Sequence, residues 1–479
     1  MKKKIVLIDL DLSISESILE SEKVNIEYLI TDADSAYSNK KIDDLKSSHK
    51  IKNVISREKF HEFTEQRATD LDYKSIEQFR ESQLNSEYFQ SRFSDDFSLK
   101  QYHYFNALSF WIDIFTNENI CAIILEGRQH GANYDGLALD VAKAYKVPSF
   151  VFETYMVRHA EDATKSVRAV LDYGLKNRIP IDHSKLNLQK VDLKNYLFYY
   201  EKIDAETKKK RKSFKDILKL LLPSYLFIAI RMIVKIITNK KIVMHGLITS
   251  PAKVLQNIFY IIMIKRKYDS ISVNLDTSKK YVVYALHFDP EASIMSRTVL
   301  NNQLLIIKQL SESLPDGWLL YVKEHPIQFK AFVPGHWFYL ISFEKYRTIN
   351  FYQEVLKFTN VRFLNGNVSS PEIIKSATAI ASINGTIACE AITHNLPMIL
   401  FGHESNPFGS CSDLFKIKSS KQCREALKII ESDFRPSYSD AAEIVNKELF
   451  ELNINKKNDV KYLIDYMVCE YDKTNPFNS

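Results

Sequence analysis

Hydroxyl and amide side chains gather around one glycine in the segment from Ile373 to Gly402, IIKSATAIASINGTIACEAITHNLPMILFG. Ala379 to Ile383 is a short run of small apolar residues, as a buried parallel strand requires. Asn384-Gly385 breaks it with turn chemistry, Thr386 to Thr393 resumes at helical spacing, and Pro397 to Phe401 reads as a second buried strand. A strand that stops at a glycine and opens a helix leaves backbone N–H groups unpaired at the helix start, and with the helix dipole they favour an anion. Ser382, Asn384 and Thr386 add side-chain donors at the same point. The pattern equally describes an ordinary strand–turn–helix connection with an N-cap. It contains neither a Walker A loop nor G-x-G-x-x-G.

Other titratable groups fall at the ends of predicted strands. Tyr281 to Leu286 ends in His287-Phe288-Asp289-Pro290-Glu291, and Trp318 to Val322 ends in Lys323-Glu324-His325-Pro326. In the N-terminal half, Ile120 to Leu125 runs into EGRQHGANYDG, followed by a helical stretch from Leu137 to Tyr145 and a strand from Val147 to Phe152 that stops at Glu153. Strand, polar loop, helix, strand is the signature of a doubly wound sheet, in which ligands sit beyond the carboxyl ends of the strands. Glu126, His130, Asp135 and Glu153 therefore collect where a site would lie, although His130 and Asp135 could equally cap and solvate a surface loop.

At 479 residues the chain exceeds one ordinary core, and two domains are expected. The spacing predicts strands at Lys4 to Leu10 and Val24 to Ile30, helices packed on them between residues 40 and 118, and a charged helical tail over 440–470. Residues 160–275 differ in character. KKKRK at Lys208 to Lys212 precedes an apolar run from Leu220 to Ile230 that Pro223 interrupts. That run is shorter than the roughly 20 residues of a membrane span, and with the lysine cluster it fits a helix lying on an anionic membrane surface. An interdomain helix beside a solvated charge run is the other reading. A net charge of +6 with no basic-aromatic stripe excludes nucleic acid as a partner. The five cysteines are scattered with no C-x-x-C, so neither a disulfide framework nor a zinc site is expected. The N-terminal apolar residues IVLIDL are too few for a signal peptide, and a cytoplasmic protein is expected.

Four segments occur in one order: YALHFDPEAS at 284–293, LPDGWLLYVKEHP at 314–326, SSPEIIKSATAIASINGTIACEAI at 369–392 and PMILFG at 397–402. Together they resemble the bacterial capsule polysaccharide biosynthesis glycosyltransferases, the group that includes the Kdo transferases of capsule export systems. EGRQHGANYDGLALDVAKAYKVPSFVFE at 126–153 resembles that group's N-terminal loop and strand, so the match spans roughly half the chain. The resemblance implies an α/β chain of glycosyltransferase-B architecture, two Rossmann-like doubly wound domains facing each other across a cleft, with a helical, basic middle insertion. The boundaries are then 1–160 for an acceptor domain, 161–278 for the insertion with a membrane-surface segment at 208–237, 279–440 for a nucleotide-sugar domain, and 441–479 for the tail.

Several roles follow from the resemblance. A His-Pro pair contacts the donor phosphate in related sialyl- and Kdo-type transferases, and here that pair is His325-Pro326. The family's small Ser/Thr-Gly turn matches Ser382, Asn384, Gly385 and Thr386, with Ile383-Asn384 departing from the smaller or hydroxyl residues expected. Glu390 falls one turn into the following helix, in reach of a ribose or base. No bound metal or cofactor is implied, so Lys323, His325 and the N–H groups at Gly385 and Thr386 would stabilise the departing nucleotide phosphate. A carboxylate or histidine of the N-terminal domain would take the acceptor proton, with Asp135, His130 and Glu153 as candidates in that order. His287 and Glu291 could line the sugar pocket or be structural loop residues. The implied partners are a nucleotide sugar, a polysaccharide or lipid-linked glycan acceptor and an anionic membrane surface at the inner face of the cell membrane. A nucleotide-sugar epimerase of similar fold and a non-catalytic polysaccharide-binding protein are the alternatives.

Overall fold

The computed structural model describes residues 2–10, 18–19, 21–31, 44, 51–127, 132–156, 165–174, 177–186, 188–193, 197, 230, 232–235, 238, 242–244, 247–295, 298, 300–329, 341–402, 406–453 and 457–471. It divides into two compact units, the first formed by residues 1–192, 243–248 and 445–479, the second by 193–242 and 249–444.

The sheet of the first unit runs Asn53–Ser56, Val24–Thr31, Lys3–Ile8, Ile120–Glu126, Ser149–Met156, Lys165–Asp172, Phe450–Asn453 and Gln189–Lys190. The first five strands are parallel and the rest antiparallel. In chain order those five are the third, second, first, fourth and fifth, the order of a doubly wound sheet. Ile5 to Ile8 and Ala122 to Leu125 are fully buried, which is why they are continuous apolar runs. The helix Phe97–Asn117 is capped by Asp96, whose carboxylate accepts from the Leu99 amide at 3.0 Å.

Several strands of this sheet lie where helices or an insertion were expected, among them Gln189–Lys190. Asn53–Ser56 falls within the charged stretch 40–118, Lys165–Asp172 beyond the boundary at 160, and Phe450–Asn453 within the C-terminal tail. In Lys165–Asp172 the apolar pattern is broken by Arg168, which is buried because it pairs with Glu126 at 2.9 Å. Asn53–Ser56 buries only Ile55 fully, too little to leave a pattern.

The second unit holds an all-parallel sheet in the order Ser272–Val273, Val361–Leu364, Leu319–Lys323, Tyr281–Ala285, Ala379–Ser382, Met398–Leu400 and Phe415–Lys416. Counted from Tyr281, the strand order is 3-2-1-4-5-6, that of the Rossmann sheet. Its halves diverge between Tyr281–Ala285 and Ala379–Ser382, which pair as Val282 with Ala379, Val283 with Ile380 and Tyr284 with Ala381. The crevice beyond the carboxyl ends of these two strands is the ligand position of such a sheet.

Helix Pro251–Ile271, expected in the middle insertion, packs on this second sheet. Val254, Asn257, Ile261, Ile264 and Tyr268 are buried at helical spacing. Helix Ser370–Ser376 begins as its sequence suggests: Ser369 and Glu372 form a reciprocal capping box behind Pro371. No helix among the described residues is long and apolar enough to cross a membrane.

Candidate functional site

The loop after Tyr281–Ala285 carries His287 into the crevice, and two buried glutamines fix its backbone. Gln303, the first residue of helix Gln303–Ser313, accepts from the His287 N–H at 2.8 Å and donates to its carbonyl at 3.1 Å. Gln328 does the same for Asp289, accepting from its N–H at 2.9 Å and donating to its carbonyl at 3.0 Å. Side-chain amides satisfy the main chain here as a neighbouring strand would, so the loop is held without secondary structure.

Beneath the loop lies a buried ion cluster. Arg347 is 0% exposed; its Nε lies 3.2 Å from Glu324 and its Nη2 3.4 Å from Asp289. The same Nη2 donates to the His287 carbonyl at 3.0 Å. Glu324 also accepts from the Tyr352 hydroxyl at 2.7 Å and the His325 N–H at 3.0 Å. Burial pushes both carboxyls above their ordinary range, and Arg347 opposes the shift. The two carboxylates outweigh burial at Arg347 and hold its charge. A carboxyl with a raised folded pKa contributes stability that is complete below its unfolded pKa and is lost as pH rises through the folded value. The second unit should therefore lose stability from the ordinary carboxylate range near pH 4 up to the raised values. Denaturation midpoints measured across pH should show this slope, and Glu324→Gln should flatten it.

On the neighbouring strand end, Ser382 closes a second network. Its Oγ lies 3.2 Å from His287 Nε2 and accepts from the Gly385 N–H at 3.3 Å. The Asn384 N–H donates to His287 Nε2 at 3.3 Å, and Glu291 faces His287 Nδ1 at 3.2 Å. A backbone N–H can only donate, so Nε2 is the acceptor and Nδ1 carries the ring proton toward Glu291. The imidazole thus stands between a carboxylate at Nδ1 and the turn at Nε2. The buried Asn406 amide holds the turn from the other side, 3.4 Å from the Asn384 carbonyl and 3.5 Å from that of Gly385.

The structure thus joins His287, Glu291, Ser382, Asn384 and Gly385, five residues drawn from segments about a hundred positions apart. His325 lies on the adjacent strand end, its ring 6.5 Å from that of Phe288. Its Nδ1 accepts from the Ile327 N–H at 3.2 Å, which leaves Nε2 as the protonated nitrogen. Pro326 is exposed and opens a short 3-10 turn. Lys323 donates to the Val368 carbonyl at 2.7 Å. Thr386 is exposed and does not cap with its side chain, and the helix it precedes, Ile387–Thr393, has only seven residues. Glu390 is half-buried in that helix. The turn's N–H groups at Asn384 and Gly385 meet His287 and Ser382, where the sequence suggested unpaired donors at a helix start.

In the first unit, Asp135 is buried at the start of helix Gly136–Ala144, where its Oδ1 accepts from the Gly136 N–H. Glu153 is buried and pairs with Arg178 at 3.1 Å, and Arg178 also reaches Glu448 at 3.0 Å. His130 lies outside the described residues, as do residues 208–229 of the basic apolar segment.

Sequence reasoning did not single out Gln303, Gln328, Arg347 or Asn406. A glutamine directly after the cap residue Asn302 is the one local signal. Arg347, between Tyr346 and Thr348, carries none.

No family model and no curated protein matches the chain. Among solved structures, it is similar to the UDP-GlcNAc 2-epimerase from Methanocaldococcus jannaschii, with 12% identity over 98% of this chain and 99% of that one at a TM-score of 0.26. It is also similar to the KpsC beta Kdo 2,7 transferase of Thermosulfurimonas dismutans, with 12% identity over 84% of this chain and 90% of that one at a TM-score of 0.28. The KpsC beta Kdo 2,4 transferase of the same organism shares 11% identity over 75% of this chain and 93% of that one, at a TM-score of 0.30. The assignment of two Rossmann-like α/β units rests on the strand orders of the two sheets.

Proposed function

We propose that the chain is a glycosyltransferase whose second unit binds a nucleotide sugar, CMP-Kdo-like or UDP-linked, and whose acceptor is a growing surface or capsular polysaccharide or its lipid-linked precursor. One observation carries the donor half of this reading. His287, Ser382 and the Asn384-Gly385 turn converge beyond the two adjacent strand ends where a 3-2-1-4-5-6 parallel sheet takes its ligand. His325 and the turn would receive the phosphates. In the first unit, Asp135, His130 or Glu153 would supply the base for the acceptor hydroxyl.

A membrane-borne acceptor is supported by residues 208–237 and by helix Pro251–Ile271. That helix exposes Phe259, Ile262 and Met263 beside Lys265, Arg266 and Lys267. Charge reversal of KKKRK at 208–212 should reduce binding to anionic liposomes, and unchanged binding refutes this part.

The second reading is a nucleotide-sugar epimerase. It is favoured by the His287–Glu291 pair, which places an acid–base group in the nucleotide-binding unit itself.

A thermal-shift panel with CMP, UDP, GDP and dTDP tests the donor site. A nucleotide at a hundred times its Kd should add about 2.7 kcal/mol. One selective shift, lost in His325→Ala, is the expected result. Product analysis of the matching nucleotide sugar then separates the two activities, since an epimerase turns it over without an acceptor. No shift with any nucleotide refutes the donor site.

A further inference from the structure

We infer that a cavity in the first unit binds an uncharged sugar ring, the terminal residue of the acceptor glycan. Only the role as acceptor rests on the proposed function; the sugar ring rests on the cavity alone.

The cavity encloses about 420 Å3, within the roughly 300–1,000 Å3 of small-molecule sites. It lies beyond the carboxyl ends of the first unit's parallel strands. Arg57, which lines it, directly follows strand Asn53–Ser56, and Ala132 to Tyr134 stand in the chain between strand Ile120–Glu126 and helix Gly136–Ala144. Arg57 Nη1 is 3.7 Å from Asp9, the residue after strand Lys3–Ile8. Lys3–Ile8 and Ile120–Glu126 flank the point where the strand order reverses, which is where a doubly wound sheet takes its ligand.

The walls are aromatic. Phe60, Phe89 and Phe93 are 3%, 2% and 1% exposed, and Phe60 stacks on Trp111 at 5.8 Å. Trp111 Nε1 donates to the Asn133 carbonyl at 2.8 Å, which ties the wall to a polar edge. That edge offers hydrogen bonds of both kinds. Asn133 Oδ1 accepts from Ser86 Oγ at 2.6 Å and from Gln90 Nε2 at 3.2 Å, and Gln90 Nε2 also donates to Ser86 Oγ at 2.8 Å. Both hydrogens of the Gln90 amide are thereby used, which leaves its Oε1 as an acceptor and Asn133 Nδ2 as a double donor. Turning both amides over exchanges the two roles and keeps one of each. His61 Nδ1 is buried and makes no hydrogen bond to any described residue.

A pyranose matches this set. Its faces carry C–H bonds for the aromatic walls, and the hydroxyls round its edge each donate and accept. A negatively charged ring does not match. Arg57 is the one guanidinium among the described residues lining the cavity, and it already faces Asp9 at 3.7 Å and Glu58 at 3.9 Å. Burial raises the Tyr134 hydroxyl well above its ordinary range, Asp9 and Asp135 add to the shift, and Arg57 opposes it. The hydroxyl therefore stays a donor, in a field that carboxylates make negative. A carboxylate or phosphate brought here would give up its water to meet like charge. Tyr134 directly precedes Asp135, the first candidate for the acceptor base.

Saturation-transfer NMR on the full chain tests the assignment. The probes are the methyl glycosides of glucose, galactose and N-acetylglucosamine, with methyl glucuronide and uridine as contrasts. An uncharged glycoside should bind about tenfold or more tightly than methyl glucuronide. His61→Phe, which keeps a ring and removes Nδ1, should weaken that binding about three- to tenfold, the worth of one hydrogen bond. His61→Asn, whose amide stands where Nδ1 did, should restore most of it. A pure packing role for His61 predicts the opposite order, with Phe tolerated better than Asn, and thermal midpoints recorded alongside keep folding apart from binding. No bound glycoside at tens of millimolar, glucuronide bound as tightly as the uncharged rings, unchanged binding in His61→Phe, or uridine bound and then lost in His61→Phe overturns the assignment. Glycoside binding in a chain that no nucleotide stabilises upholds the ring site and refutes the donor site. A nucleotide shift without glycoside binding does the reverse.

Discussion

Replacing Arg347 by Met should lower the stability of the second unit by about 3–5 kcal/mol at neutral pH, a fall in melting temperature of roughly 10 °C. The side chain is 0% exposed, meets Glu324 and Asp289 through its nitrogens, and lies 4.3 Å over the Phe351 ring. Met fills most of the volume, so the loss is that of the charge. The buried Glu324 and the half-buried Asp289 would be left without a cation, and a buried charge stripped of its partner costs far more than the intact pair contributes. The carboxyls can escape that cost by taking up protons. The deficit relative to wild type should therefore shrink as the pH falls into the carboxylate range, and adding Glu324→Gln to Arg347→Met should recover part of it. Arg347→Lys should rescue poorly, because one ammonium cannot reach Glu324, Asp289 and the His287 carbonyl together. Thermal denaturation across pH checks all three. A loss below 1 kcal/mol, or a deficit independent of pH, would mean that the cluster is not what holds the crevice.

What the sequence reveals of this chain follows how local each feature is. The strands Tyr281–Ala285, Leu319–Lys323 and Ala379–Ser382 are buried on both faces and read as unbroken apolar runs. Their ends are marked by residues that cannot continue them, His325-Pro326 in one case and Asn384-Gly385 in another. The capping box at Ser369 and Glu372 is equally local. Features that exist only through tertiary contact leave no such trace. Arg168 hides a strand because its partner Glu126 stands on another strand, and Arg347 has no pattern because its partners lie 58 and 23 positions away along the chain. The candidate site shows both sides of this divide. Ser382, Gly385 and His287 stand out as single residues at strand ends. Only the strand order, which places the first strand of the sheet beside the fourth, brings the imidazole onto the turn.

The turn also supports a prediction with a built-in control. Gly385→Ala should weaken binding of the nucleotide that stabilises the wild type by more than tenfold, about 1.4 kcal/mol. The backbone is not the reason, since among the described residues the positive-φ glycines are Gly127 and Gly317. Space is the reason. The added methyl would lie 2.8 Å from Ser382 Oγ, closer than any stable contact, so the hydroxyl must move. Moving it breaks the bond from the Gly385 N–H and the contact with His287, both of which hold the turn. Such overpacking also costs stability, about 1–3 kcal/mol. Gly366→Ala separates the two effects, because a Cβ there meets nothing within 4 Å. That variant should match wild type in nucleotide affinity and remain within about 0.5 kcal/mol in stability. Affinity should be measured on folded protein, with the thermal midpoint recorded alongside. If Gly385→Ala binds nucleotide within threefold of wild type, the phosphates do not rest on this turn. If both affinity and the Asn384 amide signal change together, the turn and the imidazole act as one unit, as their shared hydrogen bonds require.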